Sequence, residues 1–171
     1  SSLAAEEESR AEIESESEAR DAKIQEVIDS YSNLGIAKVT GYLNIRKDPD
    51  GAANVVGTLS DGSACEILET LDGWVKISSG EVEGYASSEY ILTGDEAKEA
   101  AKDLVKERAY ITADNLNIRE TPSTDGQIVG KCLQGELHEI VGEENGWYKI
   151  SGGYISADYA EKRFCMNEAN K

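Results

Sequence analysis

The sequence predicts a mainly β chain: two tandem small antiparallel β-barrels, preceded by an N-terminal helix and joined by a helical linker. Three observations carry this reading. The chain repeats itself, because sliding it by 73 positions aligns residues 38–78 with 111–151 without a gap and gives 15 identities in 41 positions. A repeat of that length fixes the architecture before any single element is considered. Within each copy, short runs of alternating apolar and polar residues are punctuated by turn residues at intervals of about 8–12, the pattern of small antiparallel β-structure. Outside the copies the apolar period changes from 2 to about 3.6, which marks helix.

Residues 1–36 form the first segment. Ile24, Val27, Ile28 and Tyr31 lie on one helical face that ends near Gly35. Upstream of Asp21 the apolar signal is thin, with Ile13 almost alone among Glu6, Glu7, Glu8, Glu12, Glu14, Glu16 and Glu18. That composition is typical of disorder, so a helix there is expected to need a partner or neighbour. The first barrel is assigned to residues 37–92. Leu43 and Ile45 alternate with Asn44 and Arg46 and so face the opposite way, and Pro49 followed by Asp50-Gly51 supplies a turn. Strands are expected at 55–59, 64–68, 74–77 and 84–86, with turns at Asp61-Gly62 and Asp72-Gly73.

The linker, residues 93–108, places Ala97, Ala100, Ala101 and Leu104 on one face and Lys98, Lys102 and Lys106 at i,i+4 spacing elsewhere. Thr93 with Glu96 has the pattern of a capping box. The second barrel, residues 109–160, repeats the first. Leu43-Asn44-Ile45-Arg46 and Pro49 return as Leu116-Asn117-Ile118-Arg119 and Pro122, and Gly73-Trp74 with Lys76-Ile77-Ser78 as Gly146-Trp147 with Lys149-Ile150-Ser151. Its strands are expected at 128–133, 137–141, 147–150 and 154–155. Past position 78 the first copy carries four extra residues, placed at a hairpin tip, after which Gly84-Tyr85 and Tyr90 pair with Gly153-Tyr154 and Tyr159. The tail, 161–171, has no strand or helix period and reads as a linker into a following domain or as an end.

The 171 residues carry 34 acidic and 17 basic side chains, a net charge of −17. Nucleic acid is thereby excluded as a partner, since polyanion binding needs a basic surface that displaces counterions. No apolar run approaches the roughly 20 residues that span a bilayer. Three cysteines, Cys65, Cys132 and Cys165, lack CxxC spacing and suggest neither a disulfide framework nor a zinc ribbon. No cofactor and no metal site is assigned. The opening Ser-Ser-Leu-Ala-Ala, without an initiator Met, is expected of a processed or truncated product.

The string Leu43-Asn44-Ile45-Arg46-x-x-Pro49, the mid-domain Gly62, Gly73-Trp74-x-Lys76-Ile77, and Gly84-Tyr85 with Tyr90 resembles the bacterial SH3-like (SH3b) family, as does its second copy. The resemblance covers about two thirds of the chain. It implies two small SH3-like β-barrels in a secreted, wall-facing setting, where such modules bind wall peptides or glycan beside peptidoglycan hydrolases. One departure is that the family's usual Gly-Trp near the module's end is Gly84-Tyr85 and Gly153-Tyr154 here.

A groove for a peptide or muropeptide needs aromatic faces for stacking and a few directed polar groups. The candidates are Tyr42, Asn44, Arg46, Trp74, Tyr85 and Tyr90 in the first copy, and Asn117, Arg119, Trp147, Tyr148, Tyr154 and Tyr159 in the second. Two uses stay open for several of them. Trp74 and Trp147 are also suited to closing a core, and Arg46 and Arg119 to bracing the turn before Pro49 and Pro122. A catalytic role is argued against: a cysteine peptidase needs a Cys, a His and an orienting third group, and the one histidine, His138, falls on a strand position that aligns with Cys65. The expected function is a non-catalytic peptidoglycan-binding or targeting module, extracellular and wall-associated, with a fused or separate hydrolase domain as partner. The alternative is an envelope protein-interaction or scaffolding module that forms homo-oligomers through its N-terminal helix.

Overall fold

The computed structural model of the chain describes residues 2–171, with side chains from position 5 onward; Ser1 lies outside the described residues. Helix α1 (Ser2–Asp29) is followed by seven strands: β1 (Leu34–Ala37), β2 (Tyr42–Arg46), β3 (Val55–Ser60), β4 (Ala64–Thr70), β5 (Trp74–Ser79), β6 (Val82–Ser87) and β7 (Ile91–Thr93). After α2 (Gly94–Ala101) come β8 (Lys106–Ile111), β9 (Asn115–Arg119), β10 (Ile128–Leu133), β11 (Leu137–Glu139), β12 (Gly142–Glu144), β13 (Trp147–Ile150), β14 (Gly153–Ser156) and β15 (Ala160–Cys165). The chain is mainly β, with two equivalent small β domains, as the repeat predicts.

The ladders are open rather than closed barrels. The first unit is a seven-stranded antiparallel sheet in the order β3-β2-β6-β5-β4-β1-β7. The second has the same pairings divided in two: β10-β9-β14-β13-β12 and β11-β8-β15. The division falls at an irregularity both copies share. In β4 the register on β5 slips between Ile67 and Glu69, so that Leu68 bulges out, 49% exposed. At the equivalent point Val141 is 60% exposed and the strand breaks into β11 and β12. An extra residue in one strand interrupts its ladder locally.

The elements flanking the repeat differ from expectation. The linker helix stops at Ala101, and Thr93 makes no side-chain capping bond. The end of the expected linker is instead strand β8, and the start of the expected tail is β15, which pairs with β8 from Ala160↔Ile111 to Cys165↔Lys106. These two strands supply the second unit with the partners that β1 and β7 supply to the first. Beyond β15 the chain returns to the first unit: Thr58 and Asn170 exchange backbone bonds of 2.7 and 2.9 Å, and the Ala64 N–H donates to the Asn167 carbonyl at 2.9 Å.

Each unit has its own core. Leu43, Ile45, Leu59, Val75 and Ile77 anchor the first; Ile111, Leu116, Cys132, Ile150 and Ile155 anchor the second. A third cluster joins the helices to the sheets, with Ile28 of α1, Ala97 and Ala101 of α2, and Val105 and Met166 buried together and Ile24, Val27 and Tyr31 packed against them. The apolar stripe read at 24–31 is therefore the docked end of α1. Between positions 5 and 23 every side chain of α1 is exposed.

Candidate functional site

Strand periodicity decides which face of each unit is available. On β2, Leu43 and Ile45 are buried, so Tyr42, Asn44 and Arg46 stand on the outer face. On β5, Val75 and Ile77 are buried and Trp74 and Lys76 stand outside. Trp74 therefore does not close the core, and neither does Trp147; both are half-buried on the outer surface. Close approach of the strands beneath is secured by glycine. A Cβ on Gly84 would lie 2.5 Å from the Arg46 carbonyl oxygen and 2.9 Å from Ile45 Cγ2, and one on Gly153 would stand at the same distances from the Arg119 oxygen and Ile118 Cγ2. Only a residue without a side chain lets β6 and β14 lie this near β2 and β9.

Two equivalent grooves result. The first, about 520 Å³, is lined by Tyr42, Asn44, Arg46, Trp74 and Tyr90, with Val39, Thr40, Leu43, Gly51 and Ser87 completing it. The second, about 330 Å³, is lined by Asn117, Arg119, Trp147 and Tyr159, with Ala113, Asn115, Leu116, Thr124, Ser156 and Asp158. Asn44, Arg46, Trp74, Ser87 and Tyr90 of the first match Asn117, Arg119, Trp147, Ser156 and Tyr159 of the second across the repeat. Nine of the twelve candidate residues are thus brought to the two grooves. Tyr42 and Tyr90, 65% and 43% exposed, leave their rings largely free, as does Tyr159 at 54%.

The other three lie elsewhere. Tyr148 occupies the inward position that Val75 holds in the first copy and packs against the second core; the Lys162 ammonium stands 5.7 Å from its ring centroid. Tyr85 sits opposite Arg46 and Lys76 on the sheet, and Tyr154 opposite Arg119 and Lys149, beside the grooves and not in their lining. The arginines have a dual position. Arg46 Nη1 donates to the Ala53 carbonyl and Arg119 Nη1 to the Gly126 carbonyl, both at 2.9 Å. Each guanidinium lines its groove while tying down the loop that follows the proline, not the turn before it.

The grooves differ in chemistry. Tyr42 of the first corresponds to Asn115 in the second, so the first groove presents three aromatic rings and the second two. No carboxylate lines the first; Asp158 lines the second. In a chain of net charge −17, the first groove is a locally cationic and aromatic spot.

A cleft of about 440 Å³ separates the units, lined among others by Glu81, Val82, Tyr110, Glu136, Arg163 and Glu168. The Arg163 guanidinium lies 3.8 Å from the Tyr110 ring centroid. Burial raises the Glu168 carboxyl above its ordinary pKa, with Arg163 acting in the opposite sense. Near this cleft Cys132, Glu136 and His138 converge, a meeting that the cysteine spacing did not signal, because the three are brought together by the turn between β10 and β11 and not by a paired-cysteine motif. Burial pushes the Cys132 thiol up to about 11, and the Glu136 charge adds to it.

The family model described as bacterial SH3 domain matches residues 41–91 and 114–161. A Bacillus subtilis (strain 168) protein named "Putative N-acetylmuramoyl-L-alanine amidase YrvJ" is 28% identical over 127 residues, which are 68% of this chain and 24% of that one. The "Beta-N-acetylglucosaminidase" of the same organism is 38% identical over 52 residues, 30% of this chain and 6% of that one. Among solved structures, NlpC2 from Trichomonas vaginalis aligns with 77% of this chain and 48% of its own, at 18% identity and a TM-score of 0.32. The chain spans about a quarter or less of the curated relatives' lengths.

Proposed function

The chain belongs to the bacterial SH3 domain family, and from that premise we propose that it is a non-catalytic peptidoglycan-binding module, extracellular and wall-associated, that seats wall fragments in its two outer-face grooves. The observation that carries this reading is the duplicated groove, in which an Asn, an Arg, a Trp, a Ser and a Tyr recur at matching positions of both units. Its chemistry suits a ligand that is part sugar and part peptide. Aromatic faces cover the apolar face of a sugar ring, and the Asn and Arg groups meet amides and carboxylates of a peptide. The bond in the amidase relative's name joins those two halves. An anionic wall polymer repels a chain of −17 at low salt, so retention rests on local stacking and hydrogen bonds. A fused or separate hydrolase is the partner that such targeting serves.

The test is co-sedimentation of the purified chain with peptidoglycan sacculi. Retention is expected for the natural sequence and lost in folded Trp74→Ala/Trp147→Ala. Absence of retention in the natural sequence, or full retention in the folded double variant, overturns the proposal.

A second reading, an envelope interaction module that self-associates, is supported by α1. Its side chains from 5 to 23 are all exposed, and a polar helix of this kind is marginal in isolation. Light scattering of the chain with and without residues 1–20 separates the readings: a dimer lost on deletion favours this one, and a monomer in both sinks it.

A further inference from the structure

Three side chains of three ligand types meet around one tight turn, between β10 and β11. The Cys132 sulfur at the end of β10, a carboxylate oxygen of Glu136 in the turn and a ring nitrogen of His138 on β11 all lie within 4.8 Å of one another. The matching residues of the first copy, Leu59, Ser63 and Cys65, are all fully buried, and Leu59 and Cys65 belong to one core cluster. In the second copy these positions hold a thiol, a carboxylate and an imidazole, and Glu136 and His138 are half-buried instead of sealed. Gly135, at φ +88°, makes the reversal.

The separation of the imidazole and the carboxylate suits a tetrahedral ion. His138 Nε2 stands 3.3 Å from Glu136 Oε1. Two such donors, each about 2.05 Å from a zinc ion, subtend about 107° at that separation. The Leu133 N–H donates to the same carboxylate oxygen at 2.8 Å and so orients it from behind, as outer-shell groups do around metal ligands. Glu136 also lines the cleft between the units, which supplies an entry path.

We propose that Cys132, Glu136 and His138 form a binding site for a zinc-class divalent cation, with the fourth position open to water from the cleft. Sulfur and imidazole donors favour zinc over calcium or magnesium, which prefer oxygen alone. The ion acts as a clasp. Cys132 belongs to the five-stranded sheet of the second unit and His138 to the three-stranded one, two sheets that share no ladder. In the first unit the corresponding sheet is continuous and needs none. This site stands apart from the grooves and does not depend on their ligand.

The experiment uses the whole, reduced, metal-free chain, titrated with Zn²⁺ against a chromophoric chelator and with Co²⁺ followed by absorption. The expected result is one ion per chain, a thiolate-to-cobalt charge-transfer band, and a higher melting temperature with Zn²⁺. Outer-shell changes alone cost about 10–100-fold in metal affinity, so His138→Gln is expected to weaken Zn²⁺ by at least about 100-fold and Glu136→Gln by at least about tenfold. Cys132→Ser removes the cobalt band and Cys165→Ser keeps it. Should Cys132→Ser fail to fold, the two Gln variants still decide. The proposal is overturned by the absence of stoichiometric binding, by an affinity unchanged in both Gln variants, or by a cobalt band that follows Cys165.

Discussion

Replacing Tyr42 by Asn gives the first groove the residue that the second carries at Asn115, and the structure sets the size of the loss. A tyrosine presents about 150–250 Å² in all, and Tyr42 is 65% exposed, which leaves roughly 100–160 Å² within reach of a ligand. Stacking covers one face, about half of that. At about 25 cal/mol per Å² the lost burial is about 1.3–2 kcal/mol, or roughly ten- to thirtyfold in affinity. The fold is expected to be little affected, because the ring is largely exposed. The two tryptophans make the measurement site-resolved, since the chain has only Trp74 and Trp147 and each lines one groove. Titration of isotope-labelled chain with solubilised muropeptides therefore reports the first groove through one indole N–H signal and the second through the other. The expected result is weaker binding at the Trp74 signal only, while Asn115→Tyr strengthens binding at the Trp147 signal. A Trp74-reported affinity unchanged within twofold by Tyr42→Asn would refute the reasoning, because the exposed ring would then have no ligand to cover.

Gly84→Ala is expected to destabilise the first unit by about 1–3 kcal/mol through the overlap with the Arg46 carbonyl and Ile45, read as a lower urea midpoint, with Gly51→Ala, whose Cβ meets nothing within 4 Å, as the milder control. Arg46→Ala is expected to raise amide exchange in the 47–54 loop by removing the bond to the Ala53 carbonyl, with little change in global melting. The third concerns alkaline pH. Burial, with Glu66 beside it, pushes the Cys65 thiol up to about 12, and burial, with Glu168, pushes the Tyr31 hydroxyl up to about 12. The folded chain keeps both protons that the unfolded chain releases from about pH 9 for the thiol and pH 10 for the phenol. Stability is then full below about pH 9 and falls as pH rises towards 12, by up to about 1.4 kcal/mol per pH unit for each group. Cys65→Ala is expected to flatten the fall between pH 9 and 10 in chemical denaturation; an unchanged slope there would refute the assignment.

How much of this was legible in the sequence follows from the range of the interactions involved. The period-2 pattern at Leu43, Asn44, Ile45 and Arg46 is local, and the structure keeps it intact. The same rule applied to Trp74, Val75, Lys76 and Ile77 already places the tryptophan outside, although its size alone argues for the core; alternation is the stronger constraint, because one residue of slip would expose Val75 and Ile77 together. What escaped the pattern depends on partners distant in sequence. Residues 106–108 read as the end of a helical linker, because Lys106 continues the i,i+4 lysine spacing, and residues 161–165 as tail, because they have no period, yet both belong to strands, Lys106–Ile111 and Ala160–Cys165, that pair with each other across some fifty residues. The terminal residues are held in the same way, by Asn170 against Thr58 and by the buried Ser79, whose hydroxyl donates to the Ala64 carbonyl and accepts from the Ala169 N–H. The cluster at Cys132, Glu136 and His138 was hidden for a third reason. Its spacing fits no familiar ligand motif, and the three side chains come together only through the tight turn between β10 and β11. A repeat therefore tells more about the chain where its copies disagree than where they agree: shared positions report the fold, and Tyr42 against Asn115 or Cys65 against His138 report what each copy has been free to do with it.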